Sequence, residues 1–441
     1  MVRVAERRAR IALVTPWPPE RSGIADYARR LCVALSDLAE VIVVTGEPID
    51  RYAPAPDGVR LVCAKDRSLD GLLKGCDALV YFFGNSHFHL HAHSLLARFP
   101  GAAVFHEVQL TGLYLRICER FAPDRAMPAL LDLIRETYGD ELPAGAIGEE
   151  LPEWERLFEL GVFMTREIRR RACVSFVHSQ AARGLLERDS GGVDAPPAAV
   201  LPFGMPEVPL RSATRGEVRG APLVVSLGNV NAIKSTDRLI AAFGRVAARR
   251  PHARLVFAGP VSESDERHWL SYSQEHARGA CVEFTGYLEP ADYAAIVGQA
   301  DLAVQLRAVS TGEASAAIAD CLAAGIPTIV SAVGWAAELP SDAVVQVAPS
   351  AEPSLIAERI DELLDDSAQR AELSAAAVRH ASDNSFASVA AAYLAVLGLA
   401  GVGSPSGRYE STGRPSLLPT PPGSGTAAAP PSKATRRPRG R

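Results

Sequence analysis

The stretch "RIALVTPWPPERSGIADYARRL", residues 10–31, decides the fold. Its run Ile11-Ala12-Leu13-Val14 has the continuous apolar character of a strand covered on both faces. The run stops at Pro16, Pro18 and Pro19, and an amphipathic helical pattern begins just past Ser22 and Gly23. Serine is a helix-capping residue type, and the glycine leaves the first-turn N–H groups uncovered. A helix N-terminus carries about half a positive charge and unpaired donors, so a phosphate fits there without a basic side chain. A tight turn with no ligand uses the same residues. The stretch therefore establishes strand, loop and helix, and leaves the anion open.

The same alternation recurs outward from it. Before residue 205 the strand candidates are RIALVT, EVIVVT, RLVCA, DALVYFF, AAVFH and CVSFVHS. After residue 220 they are PLVVSLG, ARLVFAG, CVEFTG, DLAVQLR, IPTIVSA and AVVQVA. Helical segments separate most of them, which predicts an α/β protein with two doubly wound parallel sheets. The series restarts after "LPFGMPEVPLRSATRGEVRGAP", read as a linker. Residues 1–205 and 206–400 are thus expected as two Rossmann-like domains, facing across a cleft at the carboxyl ends of their strands. Residues 109–171 read as a helical insertion in the first domain. Residues 401–441, rich in Pro, Gly and Ser, cannot bury enough surface to offset ordering entropy and read as a disordered basic tail.

Composition narrows the function classes. The 441 residues suffice for two or three domains, and 48% apolar with 22% charged residues is ordinary for a globular protein. No apolar run reaches the about 20 residues of a membrane span, and the N-terminus lacks a signal-peptide pattern. Seven cysteines without a C-x-x-C pair point to reduced thiols and a cytoplasmic setting. The tail has seven Lys or Arg and one Glu, leaving the body with 39 basic and 50 acidic groups, a net of −11. So acidic a body argues against nucleic acid as a partner. The tail leaves room for weak contact with the inner face of a membrane.

Two further loops repeat the opening theme. In "VVSLGNVNAIKSTDRLIAAF", residues 224–243, a strand ends at Gly228, and Lys234 stands just before a helix, where it could neutralise a diphosphate. In "STGEASAAIADCLAAGIPTIVSAVGWAAELP", residues 310–340, the helix beginning near Ser315 and Ala316 again opens on tiny residues. Glu313 precedes that helix and Asp320 lies within it.

Taken in order, these elements resemble the GT-B-fold, retaining nucleotide-sugar glycosyltransferases of glycosyltransferase family 4. The motifs that carry the resemblance are PPERSGIADYA, FPGAAVFHE, VHSQAARGLL with LPFG, LGNVNAIKSTDRLI, and FTGYLEPADYAAIVGQADLAVQL. They span some 380 residues. The resemblance implies a hexosyltransferase that takes a nucleoside-diphosphate sugar and serves a glycan or lipid-linked acceptor in polysaccharide biosynthesis. No cofactor is implied, and no metal, since the family generally dispenses with an Asp-x-Asp metal site and the chain has no such motif.

Residue by residue, the resemblance implies that Ser22 and Gly23, Gly228, and Ser315 with Ala316 lie against the donor diphosphate. Lys234 would neutralise the leaving phosphate, and His106 would contact the transferred sugar. Gly286, Tyr287 and Leu288 would face the base, Asp320 the ribose hydroxyls, and Glu313 the sugar. Three positions depart from the family pattern. Its phosphate-binding arginine is Asn229, the glycine after its lysine is Ser235, and the first glutamate of its E-x7-E motif falls on Gly312, with Glu313 one place later. These departures admit a nucleotide-sugar-binding protein without turnover as an alternative. A GT-B epimerase or phosphorylase is a second.

Other clusters have plainer readings. "HFHLHAH" places His87, His89, His91 and His93 in alternation, which suits a polar lining of the acceptor cleft better than a metal site. Arg166, Arg169, Arg170 and Arg171 read as a solvated helix face. Glu338 either caps structure or faces the cleft.

Overall fold

The computed structural model describes residues 7–189, 195–196, 198–207 and 221–399. The tail from residue 401, and most of the linker, lie outside the described residues.

Two parallel sheets organise the chain. The first has seven strands in the order β3-β2-β1-β4-β5-β6-β7. They are β1 (Arg10–Val14), β2 (Glu40–Thr45), β3 (Val59–Cys63), β4 (Ala78–Phe83), β5 (Ala102–Phe105), β6 (Val174–Val177) and β7 (Ala198–Val200). The second has six, ordered β10-β9-β8-β11-β12-β13. These are β8 (Leu223–Leu227), β9 (Arg254–Ala258), β10 (Cys281–Phe284), β11 (Leu302–Gln305), β12 (Thr328–Ser331) and β13 (Val345–Val347). Both orders reverse at the first strand of the sheet, between β1 and β4 and between β8 and β11. Those reversals open crevices at the strands' carboxyl ends, where ligands bind in such sheets. All the strand candidates are strands. β7 is not among them, because only four apolar residues stand between Pro197 and Pro202.

The first crossover shows why the opening stretch folds as it does. Helix α1 (Gly23–Ser36) buries Ala28, Leu31, Cys32 and Leu35, a spacing that aligns one apolar face against the sheet. The loop before it is framed by side chains. The buried Trp17 donates its indole N–H to Ala53 O at 3.1 Å, and Glu20 accepts from Trp17 N at 3.1 Å and from the Tyr52 hydroxyl at 3.0 Å.

The helical insertion comprises α4 (Thr111–Phe121), α5 (Ala126–Tyr138), α6 (Trp154–Glu159) and α7 (Arg166–Arg171), after α2 (Leu69–Lys74) and α3 (Leu90–Leu96). Here two expectations are corrected. Arg166 and Arg169 are not solvated but each only 4% exposed. Arg166 pairs with Glu141 at 2.6 Å and lies 4.1 Å above the Tyr138 ring, while Arg169 donates to Leu186 O at 2.7 Å. They tie α7 to α5 and to α8 (Gln180–Asp189). Two members of the histidine run likewise do not line a cleft. His89 and His93 are buried, the first on Phe82 O at 2.9 Å and the second on Glu167 at 3.4 Å.

The chain ends by crossing back. After α13 (Pro353–Asp365) and α14 (Ser367–Asp383), helix α15 (Phe386–Val396) packs on the first sheet. Phe386 meets Tyr27 and Tyr393 meets Phe176, with ring centroids 5.2 and 5.7 Å apart. One buried apolar cluster consequently joins Leu13 and Phe82 of the first sheet to Val330 of the second and Trp335 just after it.

Candidate active site

The strand ends of the two sheets face each other across several close contacts. Arg30 of α1 lies 3.5 Å from Asp320, the Arg21 guanidinium sits 4.9 Å from the Tyr287 ring centroid, and Val108 N donates to Thr311 O at 2.7 Å. Glu338 answers the question its position raised. Its carboxylate reaches across the cleft to accept from the N–H groups of Gln180 and Ala181, at 2.9 and 2.6 Å, and so caps α8.

Within this frame the opening loop forms the expected helix cap. Ser22 caps α1 by accepting from Ile24 N at 3.3 Å. A Cβ built on Gly23 would meet nothing within 4 Å, so the space in front of the helix is open. On the opposite wall, Ser315 caps α12 (Ala316–Ala323) by accepting from Ile318 N at 3.3 Å. That helix start approaches Gly228, where a Cβ would lie 3.7 Å from Ala317 Cβ and 2.8 Å from Lys234 Nζ. With φ at +86°, Gly228 occupies backbone space that disfavours any side chain.

Lys234 rises from a short turn before α9 (Thr236–Arg249), and its ammonium donates to Leu227 O at 2.8 Å. Burial, with the nearby Arg307 guanidinium acting in the same direction, lowers its pKa to about 8. Lys234, Arg307, Glu313 and Ser315 line one cavity, together with Ser331 and Trp335.

Glu313 is held from several sides: it forms an ion pair with Arg307 and accepts from Thr311 N at 2.7 Å and Thr311 Oγ1 at 2.8 Å. The neighbouring Gly312 is tightly confined. Gly312 has φ at +91°, and a Cβ there would come within 2.6 Å of Val108 Cγ2 across the cleft. Position 312 therefore has no room for a carboxylate.

The remaining sequence candidates are more dispersed. Asp320 lies inside α12, accepting from the Tyr293 hydroxyl at 2.9 Å besides facing Arg30; burial raises its pKa. Gly286, Tyr287 and Leu288 follow β10, and Tyr287 is 53% exposed. Asn229 is exposed at the loop mouth. His106, at the end of β5, lies against Tyr27 and Phe82, both 4.9 Å away, and His178 at 5.0 Å. Burial, reinforced by His178, holds its pKa well below the ordinary value, so it is neutral at physiological pH.

Two residues of the site went unread in the sequence. Glu107 accepts from Asn85 N at 2.6 Å, and burial raises its pKa to about 7, with Glu313 pushing the same way. Arg307 is the other. Its signal was present, since an arginine closing an otherwise apolar strand run stands where such sheets bind ligands. Among the described residues no group of three or more His, Cys, Asp or Glu could hold a metal, and no helix is long and apolar enough to cross a membrane.

Comparison with known proteins agrees with this architecture. Residues 212–380 match the family Glycosyl transferases group 1. A search of curated protein sequences returns no match. Among solved structures, sucrose-phosphate synthase from Thermosynechococcus elongatus is similar, with a TM-score of 0.62 at 17% identity over 88% of this chain and 98% of that one. HepE from Anabaena, in complex with UDP and glucose, gives 0.59 at 13% identity, over 88% and 99%. Trehalose-6-phosphate from E. coli, as that structure is described, bound with UDP-2-fluoro glucose, gives 0.58 at 12%, over 88% and 99%. At these identities the likeness establishes the fold, which is GT-B.

Proposed function

We propose that the chain is a retaining, metal-independent hexosyltransferase that moves a sugar from a nucleoside-diphosphate donor to a glycan or lipid-linked acceptor. The observation that carries this reading is the meeting of Lys234 and the Ser315-capped start of α12 in one cavity, with Gly228 packed beside both. The family match over residues 212–380 and the UDP and glucose bound by HepE support a nucleotide-sugar donor.

In this reading the sugar–phosphate bond breaks through an oxocarbenium-like state while negative charge grows on the nucleoside diphosphate. Lys234 and the two helix N-termini stabilise that charge, and one such preorganised donor is typically worth about 3–4 kcal/mol at the transition state. Glu313 faces the sugar hydroxyls, and the neutral His106 serves as a donor or acceptor, not as a charge. Asp320 and the Gly286–Leu288 segment hold the nucleoside.

Calorimetric titration with UDP, GDP and ADP, without metal, tests the donor site. One nucleotide is expected to bind, and Lys234→Ala is expected to lose at least tenfold in affinity. The ammonium is charged below about pH 8, so affinity should fall as pH rises through that value. Affinity that is flat from pH 7 to 9.5 would remove Lys234 from the site. Binding without transfer from the matching labelled sugar would select the non-catalytic reading, which is favoured by the tie between Glu313 and Arg307.

A further inference from the structure

We infer that Arg307 is the second phosphate-binding cation of this site, replacing the arginine that Asn229 lacks, and that diphosphate draws it away from Glu313. This rests on the donor-binding reading above and names a residue which that reading does not contain.

Three observations support it. First, Asn229 is an exposed, neutral amide, so nothing at that position supplies a charge. Second, Arg307 lines the same cavity as Lys234, from the loop after β11 at the point where the strand order reverses. Its backbone N–H is pinned to Ser331 Oγ at 2.9 Å, which fixes where the side chain starts. Third, the cavity's lining carries two cations against one carboxylate. Lys234 and Arg307 line it together, and Glu313 is the carboxylate among its lining residues. Two cations held close enough for one to depress the other are costly unless an anion joins them. A diphosphate brings the missing negative charge.

The guanidinium suits that task. Its planar fork matches two phosphate oxygens at once, which an ammonium cannot do. Glu313 occupies it in the free protein, with the Arg307 side chain 28% and the Glu313 side chain 17% exposed. When phosphate takes the guanidinium, Glu313 keeps its bonds to Thr311 N and Oγ1, so the carboxylate stays in place with one edge released. That edge is then free to accept from a hydroxyl of the donor sugar. Arrival of the diphosphate and readiness of the sugar contact are thereby one event.

The test is calorimetry with UDP, with GDP and ADP in parallel, on the full chain. Arg307→Ala is expected to weaken the bound nucleotide at least tenfold. Because that change also uncovers Glu313, the double variant Arg307→Ala/Glu313→Gln is needed, and the loss should persist in it. Adding Asn229→Arg to Arg307→Ala should recover most of the affinity, since it restores a cation at the cavity mouth. Arg307→Lys keeps the charge beside Glu313, guards against misfolding, and should bind more tightly than Arg307→Ala. Full recovery in the Glu313→Gln double variant would overturn the proposal, because Arg307 would then only mask a carboxylate. Equal binding by wild type and Arg307→Ala, with Lys234→Ala impaired, would overturn it and leave the donor site standing. If the wild type binds none of the three nucleotides, both readings fall together.

Discussion

Ser235 follows Lys234 with φ at 49° and ψ at 44°, a left-handed conformation that costs a residue with a Cβ about 1–2 kcal/mol. Glycine adopts it freely, so Ser235→Gly is expected to raise stability by about 1 kcal/mol in urea melts. A fall in stability would mean that the serine makes up the strain in some other way. Glu107 gives a pH-dependent case. Its carboxyl has a folded pKa of about 7 against an ordinary 4.5, so the folded state holds the proton longer. Stability contributed by this group is therefore lost as pH rises from about 4.5 to 7, and the penalty stays in force above that. Glu107→Gln keeps an acceptor for Asn85 N–H and removes the charge. It should stabilise by about 1–3 kcal/mol at pH 8 and by little at pH 5, as read by thermal melting at both values. An equal change at both pH values would assign the effect to packing.

At the scale of elements, the helices between β5 and β6 depend on buried charge. Asp189 is fully buried and accepts from the Tyr138 hydroxyl at 2.8 Å and Thr165 N at 2.9 Å, with Arg166 Nε on its backbone carbonyl at 2.5 Å. Removing one partner from such a network leaves another buried group uncompensated, which typically costs about 3–5 kcal/mol. Arg166→Met should therefore melt well below the wild type, whereas Arg170→Met should not. Similar melting of the two would return the whole arginine run to the surface role its sequence suggests. The two cases look alike in sequence because a charge's burial depends on which helix lands against it. The histidine run has the same lesson: its alternation described neither a strand nor one face, because the chain turns at His87–His89 and enters α3 at Leu90.

At the scale of the whole molecule, the closed arrangement rests on few polar links, among them Glu338 with α8, Arg30 with Asp320 and Arg21 with Tyr287. Arg30, Arg21 and Glu338 are all exposed, and single exposed charge contacts are weak and salt-sensitive, so the cap by Glu338, which accepts from two backbone N–H groups, should contribute most. Glu338→Ala combined with Arg30→Ala is expected to increase the radius of gyration in small-angle scattering, and bound nucleotide should partly reverse it. An unchanged radius would show that the apolar cluster shared through α15 holds the cleft by itself. The sequence alone determined both sheets, their parallel sense, twelve of the thirteen strands and the three glycine- or serine-opened loops. It could do so because apolar periodicity, proline stops and helix caps are local properties, legible within about 15 residues. Only the tertiary structure decided that Glu338 caps a helix 157 residues away, that position 312 has no room for a carboxylate, and that Arg307 joins Lys234. Those outcomes depend on which surfaces meet across the cleft, and such distances are set by the packing of two domains, not by any neighbour along the chain.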